Sequence, residues 1–257
     1  VLNRLLVDAR FVLGDYFVGM YLYGSLASGD FDLQYSDVDF VVVITGDLPQ
    51  EMVQDLKAMH ARLVASGLPG VEKLEGAYVP RDVLRRHDPR HPPCPCVNEG
   101  RFYRARLGSD WVIQRHVLRE QGRVVAGPAP QMLIDPVAPD ALRDAVLGFL
   151  CEWWAPMLKR PDPRLDGTVY QAYAVLTMCR ALYTLRTGTI VSKSRAARWA
   201  QRTLDQRWSA LIEWAQRRGA ALPQPIDEIL AFIQHTLQQG QVNTDVSTPV
   251  PEVEISE

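Results

Sequence analysis

The segment Tyr21-Leu-Tyr-Gly-Ser-Leu-Ala-Ser-Gly-Asp, running on to Ser36-Asp-Val-Asp-Phe-Val-Val-Val-Ile44, constrains this chain more than any other. Val18–Tyr23 has the pattern of a short strand, and Val38–Ile44 that of a stronger one rich in β-branched residues. Gly24-Ser25 opens the turn between them, and eleven residues (26 to 36) lead to Asp37. Residues i and i+2 of a strand share a face, so Asp37 and Asp39 point the same way. Like charges on one face repel and Asp is depleted in strands, which leaves a bound cation as the arrangement that suits the pair. The plainer alternative has Asp37 capping a turn and Asp39 solvating an edge strand. Hard oxygen donors suit Mg²⁺, which keeps waters and takes one or two carboxylates together with substrate phosphates. Gly24, Ser25 and Ser28 are small enough for the backbone to approach a triphosphate, whose oxygens accept from N–H and hydroxyl groups. In this order and spacing the pieces point to metal-assisted nucleotidyl transfer.

A third carboxylate, Glu75, lies in Lys73-Leu-Glu-Gly-Ala-Tyr-Val79. It either completes a metal site or takes a proton from an attacking hydroxyl, or else it sits at an exposed strand edge. Asp110, after Gly108-Ser109, is a cleft carboxylate or a helix N-cap. Around these residues the periodicity predicts helices over Asn3–Leu13, Met52–Ser66 and Asp110–Glu120 and a strand over Val71–Val79. Arg85–Gly108, polar and rich in proline, is expected to be a loop. Gly127, Pro128, Pro130, Pro136 and Pro139 mark a boundary. Beyond it Asp140–Trp154, Val169–Thr187, Lys193–Trp199, Arg207–Arg217 and Pro225–Gln238 carry apolar stripes at helical spacing. The expected organisation is an α/β domain over 1–135, with helices on a mixed sheet, then an all-α helical bundle over 139–240. A disordered polar tail is expected over 241–257.

Composition narrows the partners. Across 257 residues, 28 Lys+Arg face 30 Asp+Glu, a net charge of −2. That balance argues against a nucleic-acid partner, which needs a net basic surface, and leaves room for a single nucleotide in a local pocket. No apolar run approaches the roughly 20 residues of a membrane span. Four cysteines in a chain this long fit the reducing cytoplasm. His87, His91, Cys94 and Cys96 offer soft-metal ligands. Cys-x-Cys is tighter than the usual zinc spacing, however, and four nearby prolines limit how the loop wraps, so a rigid surface loop is expected there.

Gly24-Ser25 followed by Asp37-Val38-Asp39 resembles the signature of the DNA polymerase β-like nucleotidyltransferases. The resemblance extends to one branch, the aminoglycoside adenylyltransferases that modify streptomycin and spectinomycin. Leu74-Glu75 looks like that family's catalytic-base strand, and Gly127-Pro128 with Ile134-Asp135-Pro136-Val137 like its interdomain segment. Leu176-Thr177-Met178-Cys179-Arg180, Thr187-Gly188-Thr189-Ile190 and Ser192-Lys193 look like its helical domain. The resemblance implies Mg²⁺ on Asp37 and Asp39, Glu75 as general base, and nucleotide binding by Gly24, Ser25, Arg180 and Lys193. ATP would be the co-substrate, and AMP would pass to a hydroxyl of a cationic aminoglycoside or aminocyclitol. Between Trp153 and Asp166 the alignment with the family slips by several residues. Trp153, Trp154, Asp162 and Asp166 are therefore substrate candidates without a firm match, and Asp110 joins them. The alternatives are the same chemistry on another small-molecule or protein hydroxyl, and a nucleotide-binding antitoxin or regulatory module.

Overall fold

Alternation along the strands sorts the N-terminal residues into two faces, and that sorting explains the architecture of the first half of the chain. The computed structural model describes residues 1–28, 36–217 and 222–241; the tail expected over 241–257 lies outside them from residue 242 on, as do residues 29–35 of the segment between Gly24 and Asp37. The chain divides into two compact units, Val1–Ala138 and a second beginning at Pro139.

In the first unit the order is α1 (Leu2–Leu13), β1 (Phe17–Leu22), α2 (Gly24–Ser28), β2 (Val38–Ile44), α3 (Gln50–Ala65), β3 (Leu74–Pro80), α4 (Arg81–Arg85), β4 (Cys94–Asn98), β5 (Arg101–Ala105), α5 (Asp110–Gln121), β6 (Arg123–Ala126) and α6 (Pro130–Leu133). Six strands form one sheet in the order β5-β4-β3-β2-β1-β6. β2 and β3 are parallel and every other pairing is antiparallel, so the sheet is mixed as expected. Met20, Leu22, Phe40, Val42, Ile44, Leu74, Tyr78 and Val97 point to one face and form a single core with Leu5, Ala9 and Leu13 of α1 and Leu56, Met59 and Leu63 of α3. Their odd-numbered neighbours on β2 and β3, Asp39 and Glu75 among them, therefore point to the other face.

Arg85–Gly108 departs from expectation. It is not a loop: β4 and β5 form a hairpin, with Cys96 opposite Tyr103 and Asn98 opposite Arg101. Its two central residues, Glu99 (φ 50°) and Gly100 (φ 75°), both take the left-handed conformation that tight hairpin turns require. Prolines at 92, 93 and 95 suggested irregular chain, yet Pro95 sits within β4 opposite Arg104. β4 pairs with β3 over only Gly76–Val97 and Ala77–Cys96, so a proline near its start breaks little of the ladder. β6, pairing with β1, also had no counterpart in the sequence reading.

His60 on α3 is buried within this core, with its Nε2 2.7 Å from the Tyr78 hydroxyl and its ring against Phe40 and Phe102. Burial lowers its pKa from 6.5 to about 4. Because the unfolded chain takes up this proton first as pH falls, the contribution of His60 is complete above pH 6.5 and is lost on descent toward pH 4. The slope from this one group is at most about 1.4 kcal/mol per pH unit. Urea unfolding at pH 7 and pH 5 is expected to show a larger loss of stability for the wild type than for His60→Gln. Equal losses would mean that His60 is not held neutral.

The described part of the second unit contains α7 (Pro139–Phe149), α8 (Thr168–Thr187), α9 (Lys193–Thr203), α10 (Ser209–Gln216) and α11 (Ile226–Gln241). It is all-α, as expected. α8 is buried on several sides, through Ala172, Ala174, Val175, Met178, Cys179 and Leu182, and so serves as the axis of the bundle. Gly188 ends it at φ 69°, and the Ser192 side chain accepts from Arg195 N to start α9. Asp140–Trp154 is not one regular helix. After Phe149 the chain widens into a π-type turn over Leu150–Trp154, followed by a 3-10 turn at Ala155–Leu158 that begins with the Pro156 segment. Among the described residues, no helix is long and apolar enough to cross a membrane.

Candidate active site

Parallel pairing of β2 with β3 sets Asp39 directly opposite Glu75. Adjacent strands lie about 4.8 Å apart, so two carboxylates rooted on neighbouring backbones share one sheet face. Both side chains are half-buried. Asp37 lies two residues ahead of Asp39, just before β2, and is exposed. The sequence marks Asp39 and Glu75 as carboxylates of interest without joining them in space. The structure supplies the register that makes them neighbours in space.

Gly24 explains why the Gly-Ser turn and the Asp pair belong together. It takes φ +65°, and a Cβ placed on it would collide with the Asp39 carboxylate, 2.6 Å from Cγ. The main chain at Gly24 therefore packs directly against Asp39, an approach open only to glycine. The end of β1 is tied to the same place, since the Tyr23 amide donates to the Asp39 carbonyl at 3.1 Å. Ser25 follows in the first turn of α2 and is partly buried.

Asp110 joins this group. It is the first residue of α5, and the Ser109 side chain does not cap that helix. α5 is anchored by Arg115, a buried guanidinium whose Nε donates to the Leu84 carbonyl at 2.5 Å and whose Nη2 donates to the Arg85 carbonyl. The electrostatics of Tyr23 locate the carboxylates collectively. This buried phenol is pushed well above its ordinary pKa, first by burial and then by the negative charges of Asp39, Glu75 and Asp110. Tyr103 on β5 is pushed up to about 12 by burial, then by Cys96, Glu75 and Asp110, with Arg101 opposing. Cys96 is likewise raised to about 12, mainly by burial, which makes it an inert thiol. The sequence does not mark Tyr23 or Tyr103 as site residues, and it offers Cys96 only as a soft-metal ligand. Tyr23 stands beside the motif and is recognisable there, whereas Cys96 and Tyr103 lie in the segment expected to be a loop.

The donor set fits Mg²⁺ through Asp37 and Asp39: two hard carboxylates, with glycine backbone rather than a side chain against the second. Among the described residues, no three or more His, Cys, Asp or Glu side chains are gathered as a metal site. That applies also to His87, His91, Cys94 and Cys96. His87 Nε2 instead meets the Leu107 carbonyl at 2.8 Å, while His91 Nε2 meets Asp47 at 3.1 Å and its Nδ1 meets the Pro92 carbonyl at 2.7 Å.

The remaining candidates lie in the helical unit. Arg180 is half-buried in the middle of α8. Lys193 opens α9 and sets its ammonium 4.0 Å from the centre of the Tyr173 ring. Trp153 is 45% exposed, and the Arg164 guanidinium lies 5.8 Å from its ring. Trp154 is fully buried among Phe149, Tyr170 and Tyr173, so it is a core side chain and presents no surface to a ligand. Asp166 is exposed at the end of a short 3-10 turn. Asp162 caps that turn and grips Arg164 through both oxygens, which gives it a local structural task.

Two family models match separate stretches of the chain. A family model described as "Nucleotidyltransferase domain" matches residues 13–84, and one described as "Aminoglycoside adenylyltransferase, C-terminal domain" matches residues 132–237. An aminoglycoside (3'') (9) adenylyltransferase of Escherichia coli is 28% identical over 226 residues, covering 82% of this chain and 80% of its own. The protein of that name from Klebsiella pneumoniae is 28% identical over 209 residues, covering 76% and 75%. The fold matches that of a spectinomycin adenyltransferase from Enterococcus faecialis, solved with ATP and spectinomycin. The TM-score is 0.73 at 16% identity, covering 92% of this chain and 98% of that one.

Proposed function

We propose that this chain is a nucleotidyltransferase of the aminoglycoside adenylyltransferase kind, transferring AMP from ATP to a hydroxyl of a cationic aminoglycoside or aminocyclitol, a reading supported by its similarity to the two family models and to the adenylyltransferases above. The observation that carries the reading is the pairing of Asp39 with Glu75 across β2 and β3, with Gly24 packed against the Asp39 carboxylate.

In this reading Glu75 accepts the proton of the acceptor hydroxyl. The acceptor oxygen then bonds to the α-phosphorus as the bond to the β-phosphate oxygen breaks, and pyrophosphate leaves. Asp37 and Asp39 would hold Mg²⁺, which when bound neutralises charge on the phosphates. Gly24 and Ser25 offer a close backbone and a hydroxyl to the phosphates, and Arg180 and Lys193 of the helical unit are read as nucleotide-binding cations. The carboxylates Glu75 and Asp110 also favour a polycationic acceptor over a neutral one. Four unpaired cysteines are consistent with a reducing compartment that supplies ATP, such as the cytoplasm.

The test is pyrophosphate release by the purified protein with ATP and Mg²⁺ against a panel of streptomycin, spectinomycin and other aminoglycosides, with the drug's AMP adduct sought by mass spectrometry. Adduct formation with at least one member is expected. Intact ATP binding with silence across the panel would move the acceptor outside this class.

A further inference from the structure

Lys193 rests on an aromatic support whose parts brace one another. Its ammonium lies 4.0 Å from the centre of the Tyr173 ring, well inside the roughly 6 Å range of a cation–π contact. Tyr173 stacks on Tyr170 at 5.5 Å and 23°, one helical turn earlier on α8. Both rings lean on the buried Trp154, at 6.0 Å from Tyr173 and 6.4 Å from Tyr170. Arg164 closes the far end, 4.4 Å from the Tyr170 ring, and is itself held by Asp162. Cation, ring, ring and cation follow one another, with a core tryptophan at the side. Every member belongs to the helical unit.

We propose that Tyr173 is the positioning residue for Lys193, holding its ammonium extended from the start of α9 for the phosphates of the nucleotide. The proposal rests on the reading of Lys193 as a nucleotide-binding cation. A lysine has a flexible four-carbon stem, and fixing it on binding sacrifices rotamer freedom. A ring that already holds the ammonium removes part of that loss before the nucleotide arrives. Because Trp154 is buried in the core, the two tyrosine rings lean on a fixed surface on one side. This gives the aromatic cluster a task besides packing.

The proposal is tested by equilibrium binding of Mg·ATP, which needs no acceptor. Tyr173→Leu is expected to raise the Kd about three- to tenfold, and Tyr173→Phe to stay within about twofold of wild type. In a Lys193→Met background, Tyr173→Leu is expected to add nothing further. The ε-methylene protons of Lys193 should show an upfield ring-current shift by NMR in the wild type and in Tyr173→Phe, and lose it in Tyr173→Leu. The wild-type measurement stands even if the leucine variant fails to fold, and absence of the shift overturns the proposal. If Lys193→Met leaves ATP binding unchanged, the reading of Lys193 itself falls and the proposal falls with it. If Lys193→Met weakens binding while Tyr173→Leu does not, or acts equally in both backgrounds, only the role of Tyr173 is overturned.

Discussion

Glu75→Gln is expected to lower AMP transfer about 10²- to 10⁴-fold while leaving the Kd for ATP within a few-fold of wild type. The range is that of a positioned general base. Glutamine keeps the shape of the side chain and its place opposite Asp39, but it cannot take the proton of an attacking hydroxyl. Loss of nucleotide binding is not expected, because Asp37 and Asp39 remain and one negative charge is removed from beside a triphosphate. Binding could even tighten slightly, since Asp39 and Glu75 repel across the β2–β3 pair. A stopped reaction with intact ATP titration is therefore the signature of a lost base, whereas a lost metal site would depress both. Turnover that survives within a few-fold would remove Glu75 from this role, and Asp110, which acts on the same Tyr23 phenol, would become the next base to examine.

Much of this site was legible because it is local. The Gly-Ser turn, the i, i+2 spacing of Asp37 and Asp39 and the β-branched run to Ile44 fix a turn, a face and a strand within a few residues. Glu75 was legible as a residue type. Its partnership with Asp39 depends on parallel register between strands separated by α3, and nothing local sets that register. The hairpin β4–β5 was hidden by its prolines. Those residues argue against a central strand, and β4 escapes the penalty because its pairing with β3 is so short. The place of Tyr103 and Cys96 beside Glu75 and Asp110 was hidden with it. The two tryptophans show another limit. Trp153 and Trp154 are adjacent in sequence and so point in different directions around the helical turn, one half-exposed and the other fully buried, and composition alone gives no means of choosing between them. The contact of Lys193 with Tyr173 likewise joins two helices across a glycine cap and could not be read from spacing.

Gly24→Ala is expected to reduce kcat/KM about 10²-fold or more while leaving the protein folded. Two separate penalties meet at this position. The φ of +65° is unfavourable for any residue with a Cβ, by about 1–2 kcal/mol. The added methyl also has a specific victim, the Asp39 carboxylate, which has to move for the methyl to fit. The backbone around Asp39 is held by the Tyr23 amide bond and by pairing on both sides, so relief falls on the side chain proposed to hold the metal. A displacement near 1 Å of a group that positions reactants is enough for a 10²-fold loss, whereas a penalty of 1–2 kcal/mol leaves most molecules folded. Gly46→Ala is the control: a Cβ there meets nothing within 4 Å and its φ lies outside the left-handed range, so activity is expected to be unchanged. Thermal unfolding measured beside kcat/KM separates the two effects. A Gly24→Ala enzyme that keeps its rate within threefold would show that Asp39 tolerates displacement, and a carboxylate free to shift that far is not one that fixes a metal ion for phosphoryl chemistry.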